Sequence, residues 1–407
     1  MSDPKPSFPP LEEQLTRIKR GVVDLVTEED LRRRLARSLE EGRPLRVKLG
    51  IDPSSPDIHV GHTVQLRKLR TFQECGHQAV IIWGTATAMV GDPTGKDKTR
   101  PQLSREQVLE NLRTYREQIG KVVDVDLAEH HENGAWFDRF TFQDTIRLMS
   151  RMTVARVIER DSFQNRMSKG LPIGLHEIIY PLMQGWDSVE IRADIELGGT
   201  DQLFNLLAGR DLQQQVGQEP QLCLTMPILE GLDGVQKMSK SLGNTIGLND
   251  DPVDMFGKVM SIPDSLMEKY FLLLTEVEEA DLRELLAGHP REAKAELARR
   301  VTAWLHGAEA SERAAREFDR VFRERERPTE IPEFEVPADA LKEGRIQVAV
   351  AAHLAGLGSS GGEIRRAIKG GGVRVDGERI ADPTHALGSG SYLLQVGKRR
   401  FVRLRIP

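Results

Sequence analysis

The run Leu45-Arg46-Val47-Lys48-Leu49-Gly50-Ile51 puts an apolar residue at every second position, the spacing of a strand with one face buried. It stops at Asp52-Pro53-Ser54-Ser55-Pro56-Asp57, whose prolines and short polar side chains end a strand and open a helix. From about Ile58 the spacing turns helical, through Leu66, Leu69 and Phe72 to a stop at Gly76. Ala79-Val80-Ile81-Ile82-Trp83 is then a continuously apolar strand. Strand, helix and strand in this order predict a βαβ unit, and so an α/β fold with a parallel sheet covered by helices.

Residues 102–170 are helical in pattern, broken near Glu132-Asn133-Gly134, and read as an insertion between two halves of that sheet. A second αβ half spans about 171–247 and ends in a stretch rich in Gly and Lys. Beyond Pro252, Leu and Ala recur at helical spacing among Glu and Arg, as in Ala280-Asp281-Leu282-Arg283-Glu284-Leu285-Leu286. Pro328, Pro332 and Pro337 punctuate an extended stretch. The last segment has two short helical patterns, a Gly370-Gly371-Gly372 turn, and alternation around Val373-Arg374-Val375 and Phe401-Val402-Arg403-Leu404. The expected domains are therefore 1–247 with the insertion at about 102–170, a helical domain over 248–327, a linker over 328–343, and a small α+β module over 344–407.

Composition adds constraints. At 39% hydrophobic and 29% charged, with no run of about 18 apolar residues, the chain reads as soluble and non-membrane. Its first residues lack a basic-then-apolar leader, so a cytoplasmic location is expected. Cys75 and Cys223 are the two cysteines, far apart, which argues against a disulfide framework and against structural zinc. The net charge of −5 conceals an asymmetry: residues 341–407 carry 12 Lys+Arg against 5 Asp+Glu, a net +7, leaving 45 against 57, a net −12, for the rest. A basic tail on an acidic body suggests a nucleic-acid partner.

Two motifs carry chemistry. His59-Val60-Gly61-His62 opens a helix after a strand, with two imidazoles three residues apart beside unpaired backbone N–H groups, a setting that favours phosphate. Lys237-Met238-Ser239-Lys240-Ser241 sets two ammonium groups on a loop flanked by Gly234 and Gly243, suited to closing over a polyanion whose charge rearranges. Tyr180, Gln184 and Asp187 fall at i, i+4 and i+7, one helical face; taken alone they would more often be an ordinary polar face. Pro181 fits such a helix near its start. Gly198-Gly199-Thr200-Asp201-Gln202 and Gly91-Asp92-Pro93-Thr94-Gly95-Lys96 are turn-like strings, the latter lacking the spacing of a P-loop.

Together and in this order the His and Lys motifs resemble those of class I aminoacyl-tRNA synthetases, over nearly the whole chain. The resemblance implies a Rossmann-type catalytic domain in which Gly50, Asp52, His59, His62, Gly198, Asp201, Lys237 and Lys240 bind ATP, brought with Mg²⁺ and with no metal site in the protein. It implies catalytic work for His59, His62, Lys237 and Lys240, and for Ser54, Lys96 and Arg100 as phosphate or pyrophosphate ligands. The helix carrying Tyr180, Gln184 and Asp187 narrows the likeness to tyrosyl-tRNA synthetases. Tyr180, Gln184 and Asp92 would hold the substrate ammonium, Asp187 would accept the phenolic hydrogen, and Gln202 would lie near the activated carboxyl. Where many of these enzymes have a second phenol-reading tyrosine this chain has Lys48, and a frequent ribose-binding cysteine is Leu49 here. The tail resembles an S4-like RNA-binding module, implying tRNA contacts from Arg345, Arg365, Arg366, Lys369, Arg374, Lys398, Arg399 and Arg400. A homodimer is also implied. The rival readings are a tryptophanyl enzyme, a small nucleotidylyltransferase with only the His motif, and a catalytically silent RNA-binding protein of the same fold.

Overall fold

The structure is a computed structural model and describes residues 8–94, 102–322, 331–342, 344–358, 360–397 and 400–407. Its contacts separate two units, Met1–Ser311 and Glu312–Pro407. In chain order the first unit contains β1 (Asp24–Val26), β2 (Arg46–Ile51), helix α1 (Val60–Glu74), β3 (Gln78–Trp83), α2 (Arg105–Gly120), β4 (Glu129–Glu132), α3 (Phe142–Met149), α4 (Leu175–Ile191), β5 (Ile195–Gly199), α5 (Leu203–Gln215) and β6 (Leu222–Met226). Helices α6 (Pro252–Ser261), α7 (Met267–Leu274), α8 (Glu279–Ala287) and α9 (Pro290–His306) follow.

The six strands form one sheet in the order β1-β6-β5-β2-β3-β4. All pairings are parallel except β1 on β6. Strands β3, β5 and β6 are buried almost throughout, as expected of parallel strands covered on both faces. The chain leaves β2 toward β3 on one side and β5 toward β6 on the other, so the order reverses between β2 and β5. In open α/β sheets a crevice opens at such a switch point, beyond the carboxyl ends of the strands. Those ends are Gly50-Ile51-Asp52 and Gly198-Gly199.

Two differences from the sequence expectation have physical causes. The supposed helical insertion contributes an edge strand, β4, paired in parallel with β3 from Val80↔Glu129 to Trp83↔Glu132. Its sequence, Glu-His-His-Glu, has no apolar alternation because only one edge is paired and its side chains are mostly half-buried. Pro181 lies at the seventh position of α4 and not near its start. It cannot donate to the carbonyl of Glu177, yet the helix continues, because Tyr180, Pro181, Leu182 and Met183 are all held in the interior.

Helix α4 is anchored at both faces. At its start Arg166 makes a buried two-pronged pair with Glu177, Nη1 to Oε1 at 2.7 Å and Nη2 to Oε2 at 2.9 Å. Further along, Gly185 lets α5 come so near that a Cβ would sit 2.9 Å from the Gly209 nitrogen. The second unit is a five-stranded sheet with α10 (Val348–Leu354) and α11 (Gly361–Lys369) over it. In chain order its strands are β7 (Glu333–Glu335), β8 (Ile346–Gln347), β9 (Val373–Val375), β10 (Glu378–Arg379), β11 (Ala386–Leu387), β12 (Gly390–Val396) and β13 (Arg400–Ile406); β8 and β11 pair separately. Strand β7, within the stretch expected as linker, runs parallel to β13. One core joins Val348, Ala352, Ile364 and Ile368 to Val373, Leu394, Val402 and Leu404.

The close approach of α4 and α5 yields a stability prediction. Gly185→Ala forces a methyl against backbone, and overpacking of this kind costs on the order of 1–3 kcal/mol; tryptophan fluorescence during urea unfolding should show the midpoint fall.

Candidate active site

The crevice at the switch point has two polar halves. The first surrounds α4. Tyr180 donates its hydroxyl to Asp52 Oδ2 at 2.8 Å, and Thr87 donates to Asp52 Oδ1 at 2.7 Å. Asn133 donates to Thr87 Oγ1 at 3.0 Å and to Asp187 Oδ2 at 3.2 Å. The Trp136 indole donates to Asp187 Oδ1 at 3.0 Å. Gln184 donates to Glu196 at 3.0 Å and accepts from Asn205 at 2.8 Å. Asn205 also donates to Gln202, whose amide donates to Asp92 Oδ2 at 2.7 Å. The residues singled out for amino-acid binding, Tyr180, Gln184, Asp187, Asp92 and Gln202, thus lie in linked hydrogen-bonded sets along one crevice.

Charge in this half is tightly managed. Asp187 is 3% exposed, and its carboxyl is pushed up to about 7 by burial, against the opposing pull of the Lys48 charge and of the Asn133 and Trp136 donors. Asp92 goes the other way: burial works to raise it, but Arg160 at 3.0 Å, Thr94 and Gln202 hold it below the usual carboxylate range. Arg160 is itself 4% exposed and bonds Thr94 as well. Lys48 does not open toward the crevice: its ammonium donates to the Gln184 carbonyl and Ser188 Oγ, both at 2.7 Å, and pairs with Glu196 at 2.9 Å.

The second half belongs to the two signature motifs. His59 precedes the first turn of α1 and is 9% exposed, while His62 is exposed; their ring centroids are 3.8 Å apart. Burial, then the neighbouring His62, Lys240 and Lys237, depress His59 to about 2, so it is neutral at physiological pH. The His59 backbone N–H donates to His62 Nδ1 at 3.3 Å, which leaves the His62 proton on Nε2. Lys240 reaches Asp57 at 3.2 Å and Ser55 at 3.3 Å, while Lys237 pairs with Asp201 at 3.0 Å. The motifs are brought together by backbone: Val60 N–H donates to Ile246 O and Leu248 N–H to Ile58 O. Between them lies a cleft of roughly 420 Å³ lined by Asp57, His59, Lys240, Gly247 and Asp250. Gly50, one residue before the end of β2, has open space where a side chain would be, and Gly199 closely approaches Asp201. Ser54 is exposed in the turn after β2. Lys96, Arg100, Lys398 and Arg399 lie outside the described residues.

The arrangement sets two carboxylates, Asp187 and Asp92, in hydrogen-bonded sets around α4, and sets cations and a helix start at a separate cleft, a combination suited to phosphates. Residues 40–323 match the family of class I tRNA synthetases (W and Y), and residues 344–391 match the S4 domain. The tyrosine–tRNA ligase of Carboxydothermus hydrogenoformans is 51% identical, covering 97% of this chain and 98% of its own. That of Thermotoga maritima is 48% identical over 97% of each.

The chain belongs to the tyrosine–tRNA ligases.

Among solved structures, an Archaeoglobus fulgidus tyrosyl-tRNA synthetase complexed with L-tyrosine shares the fold at a TM-score of 0.61 and 23% identity, over 75% of this chain and 100% of that one. Asn133, Trp136, Arg160, Glu196 and Asn205 are the members of these hydrogen-bonded sets that sequence reasoning passed over. Glu196 had a signal, a lone carboxylate inside the apolar run Ile195-Glu196-Leu197, and Lys48 is the matching cation between Val47 and Leu49. No helix among the described residues is long and apolar enough to cross a membrane.

The raised Asp187 carboxyl generates a pH prediction. With a folded value near 7 and an unfolded value near 4, the fold favours the protonated form, so this group's contribution to stability declines as pH rises from about 4 to about 7. An ionised acceptor for a phenol is present only above that value. We expect kcat/KM for tyrosine in ATP–pyrophosphate exchange to fall as pH drops through about 7, by up to ~10-fold per unit. Asp187→Asn should give a low profile without that step.

Proposed function

We propose that this ligase activates tyrosine with ATP, brought as its Mg²⁺ complex, and transfers the tyrosyl group to the 3′ end of its tRNA, acting as a homodimer in the cytoplasm. The observation that carries the reading is the hydrogen-bonded set of Tyr180, Asp52 and Asp187 and of Gln184, Gln202 and Asp92 at the switch point, with the His59 and Lys240 motifs brought to one cleft by backbone pairing. Tyrosine lies along α4 with its phenol at Asp187, held by Asn133 and Trp136, and its ammonium among Tyr180, Gln184 and Asp92. A ligand without the hydroxyl leaves the buried Asp187 carboxylate with Asn133 and Trp136 but without the phenolic donor, which disfavours phenylalanine; tyrosyl-tRNA synthetases are themselves the standard example of such rejection. Tryptophan offers no phenol to this carboxylate.

In activation the tyrosine carboxylate oxygen bonds to the α-phosphorus as the bond to the pyrophosphate oxygen breaks. No protein atom is acylated. His62 Nε2–H and the start of α1 face developing phosphate charge, and Lys237 and Lys240 exchange Asp201 and Asp57 for phosphate oxygens. Asp201, freed from Lys237, and the close backbone of Gly198-Gly199 then suit the ribose. Gly50 and Asp52 border the same nucleotide, with Ser54, Lys96 and Arg100 as further phosphate ligands. In transfer, a terminal tRNA hydroxyl attacks the activated carbonyl and AMP leaves.

The second unit supplies RNA affinity. Arg365, Arg366 and Lys369 lie on α11, and Arg345, Arg374 and Arg400 on neighbouring segments, so phosphate neutralisation is available. For the dimer, the support is an exposed apolar stripe on α3, with Phe142 80%, Ile146 49% and Met149 40% exposed, at i, i+4 and i+7.

The central test is tyrosine-dependent ATP–pyrophosphate exchange by the full chain. Lys237→Met should lower kcat by ~10²–10³, as loss of one preorganised donor does, with tyrosine binding little changed. Absence of exchange in the unaltered protein would overturn the reading. For the dimer, Phe142→Asp with Ile146→Asp should halve the mass measured by light scattering.

A further inference from the structure

Lys48 and Glu196 are register partners on β2 and β5, the two strands that flank the switch point, and both side chains are fully buried. A buried pair of this kind contributes little net stability over apolar residues of similar volume. Its placement is unusual, since its bonds reach α4, the segment entering β6 and a side chain of the amino-acid slot. Glu196 Oε1 accepts from Lys48 and from Gln184 Nε2; Glu196 Oε2 accepts from Ser188 Oγ at 3.1 Å and from Gln221. Lys48 meanwhile donates to the Gln184 carbonyl and to Ser188, so both members grip the turn of α4 that carries Gln184 and Asp187.

We propose that Lys48 and Glu196 are positioning residues that decide which end of the Gln184 amide faces the substrate. This rests on the reading of Gln184 as a ligand of the tyrosine ammonium. A side-chain amide has a donor end and an acceptor end, and only the oxygen can receive an ammonium. An ionised carboxylate accepts and cannot donate, so Glu196 captures the Nε2 end of Gln184. The Oε1 end is then turned the other way, where Asn205 Nδ2 already donates to it at 2.8 Å. Lys48 is needed because a buried carboxylate without a counter-charge is costly in this interior. Neither residue touches the substrate; both act through Gln184.

The test compares tyrosine with 3-(4-hydroxyphenyl)propanoate, which keeps the phenol and carboxylate but lacks the ammonium. Binding of both to the full-length protein is measured by competition in ATP–pyrophosphate exchange. In the double variant Lys48→Met with Glu196→Leu, tyrosine should bind ~10–100-fold more weakly, the range for one misdirected charge-assisted hydrogen bond. The deamino compound should change by less than about twofold. Equal weakening of both ligands, or no weakening of either, would overturn the proposal, because a merely structural pair has no means of sensing the ammonium. Should that variant fail to fold, Glu196→Gln keeps the volume and gives the same contrast at smaller size, with the same overturning outcomes. Gln184→Ala separates the two levels: if it leaves the preference for tyrosine over the deamino compound intact, the underlying assignment of Gln184 fails, whatever Lys48 and Glu196 do.

Discussion

The site depends on a short backbone pairing. The segment leaving the lysine loop lies antiparallel to the segment entering α1, with Val60 bonded to Ile246 and Leu248 bonded to Ile58. These bonds are main-chain and flanked by Ile58, Val60, Ile246 and Leu248, all buried. The two motifs are distant in sequence, yet this ladder sets both at the mouth of one cleft. The ladder fastens the loop's exit, while the lysine ammonium groups are held by partly exposed ion pairs.

Those ion pairs share a design. Three charged groups expected to meet substrate already have a partner of opposite sign in the protein: Lys237 with Asp201, Lys240 with Asp57, Asp92 with Arg160. The first two are partly exposed, so exchanging a carboxylate for a phosphate oxygen costs little. Arg160 and Asp92 are mostly buried, and a buried charge without a partner is expensive. Asp92 therefore stays ionised beside Arg160. Asp187 is held by the uncharged donors Asn133 and Trp136, and burial outweighs them and the more distant Lys48 charge, driving its carboxyl toward neutrality.

Helix α4 is fixed in place for a different reason. Helix α4 is clamped by Arg166–Glu177 at one end, by the Gly185–Gly209 approach on one face, and by Lys48–Glu196 from the sheet below. A side chain on such a helix has few ways to relax, so small differences between ligands are felt as unpaired polar groups and not absorbed by movement. The network that confers this is made largely of amides, which satisfy one another in a fixed sense once one end is set by a carboxylate.

Periodicity and spacing by themselves determined the βαβ start, the helices after Pro252 and the basic tail module, and singled out the His and Lys motifs, because each is a local pattern written within one or two elements. Family likeness extended this to the face of Tyr180, Gln184 and Asp187. Tertiary structure alone decided that β4 belongs to the sheet, that Pro181 sits inside its helix, and that Lys48 is buried against Glu196. It also alone joined Asn133 and Trp136 to Asp187 and Arg160 to Asp92. The physical reason is common to all of these: a polar residue looks the same in sequence whether it faces water or a partner far along the chain. Only folding removes the water, and with it the difference between an ordinary polar face and a site.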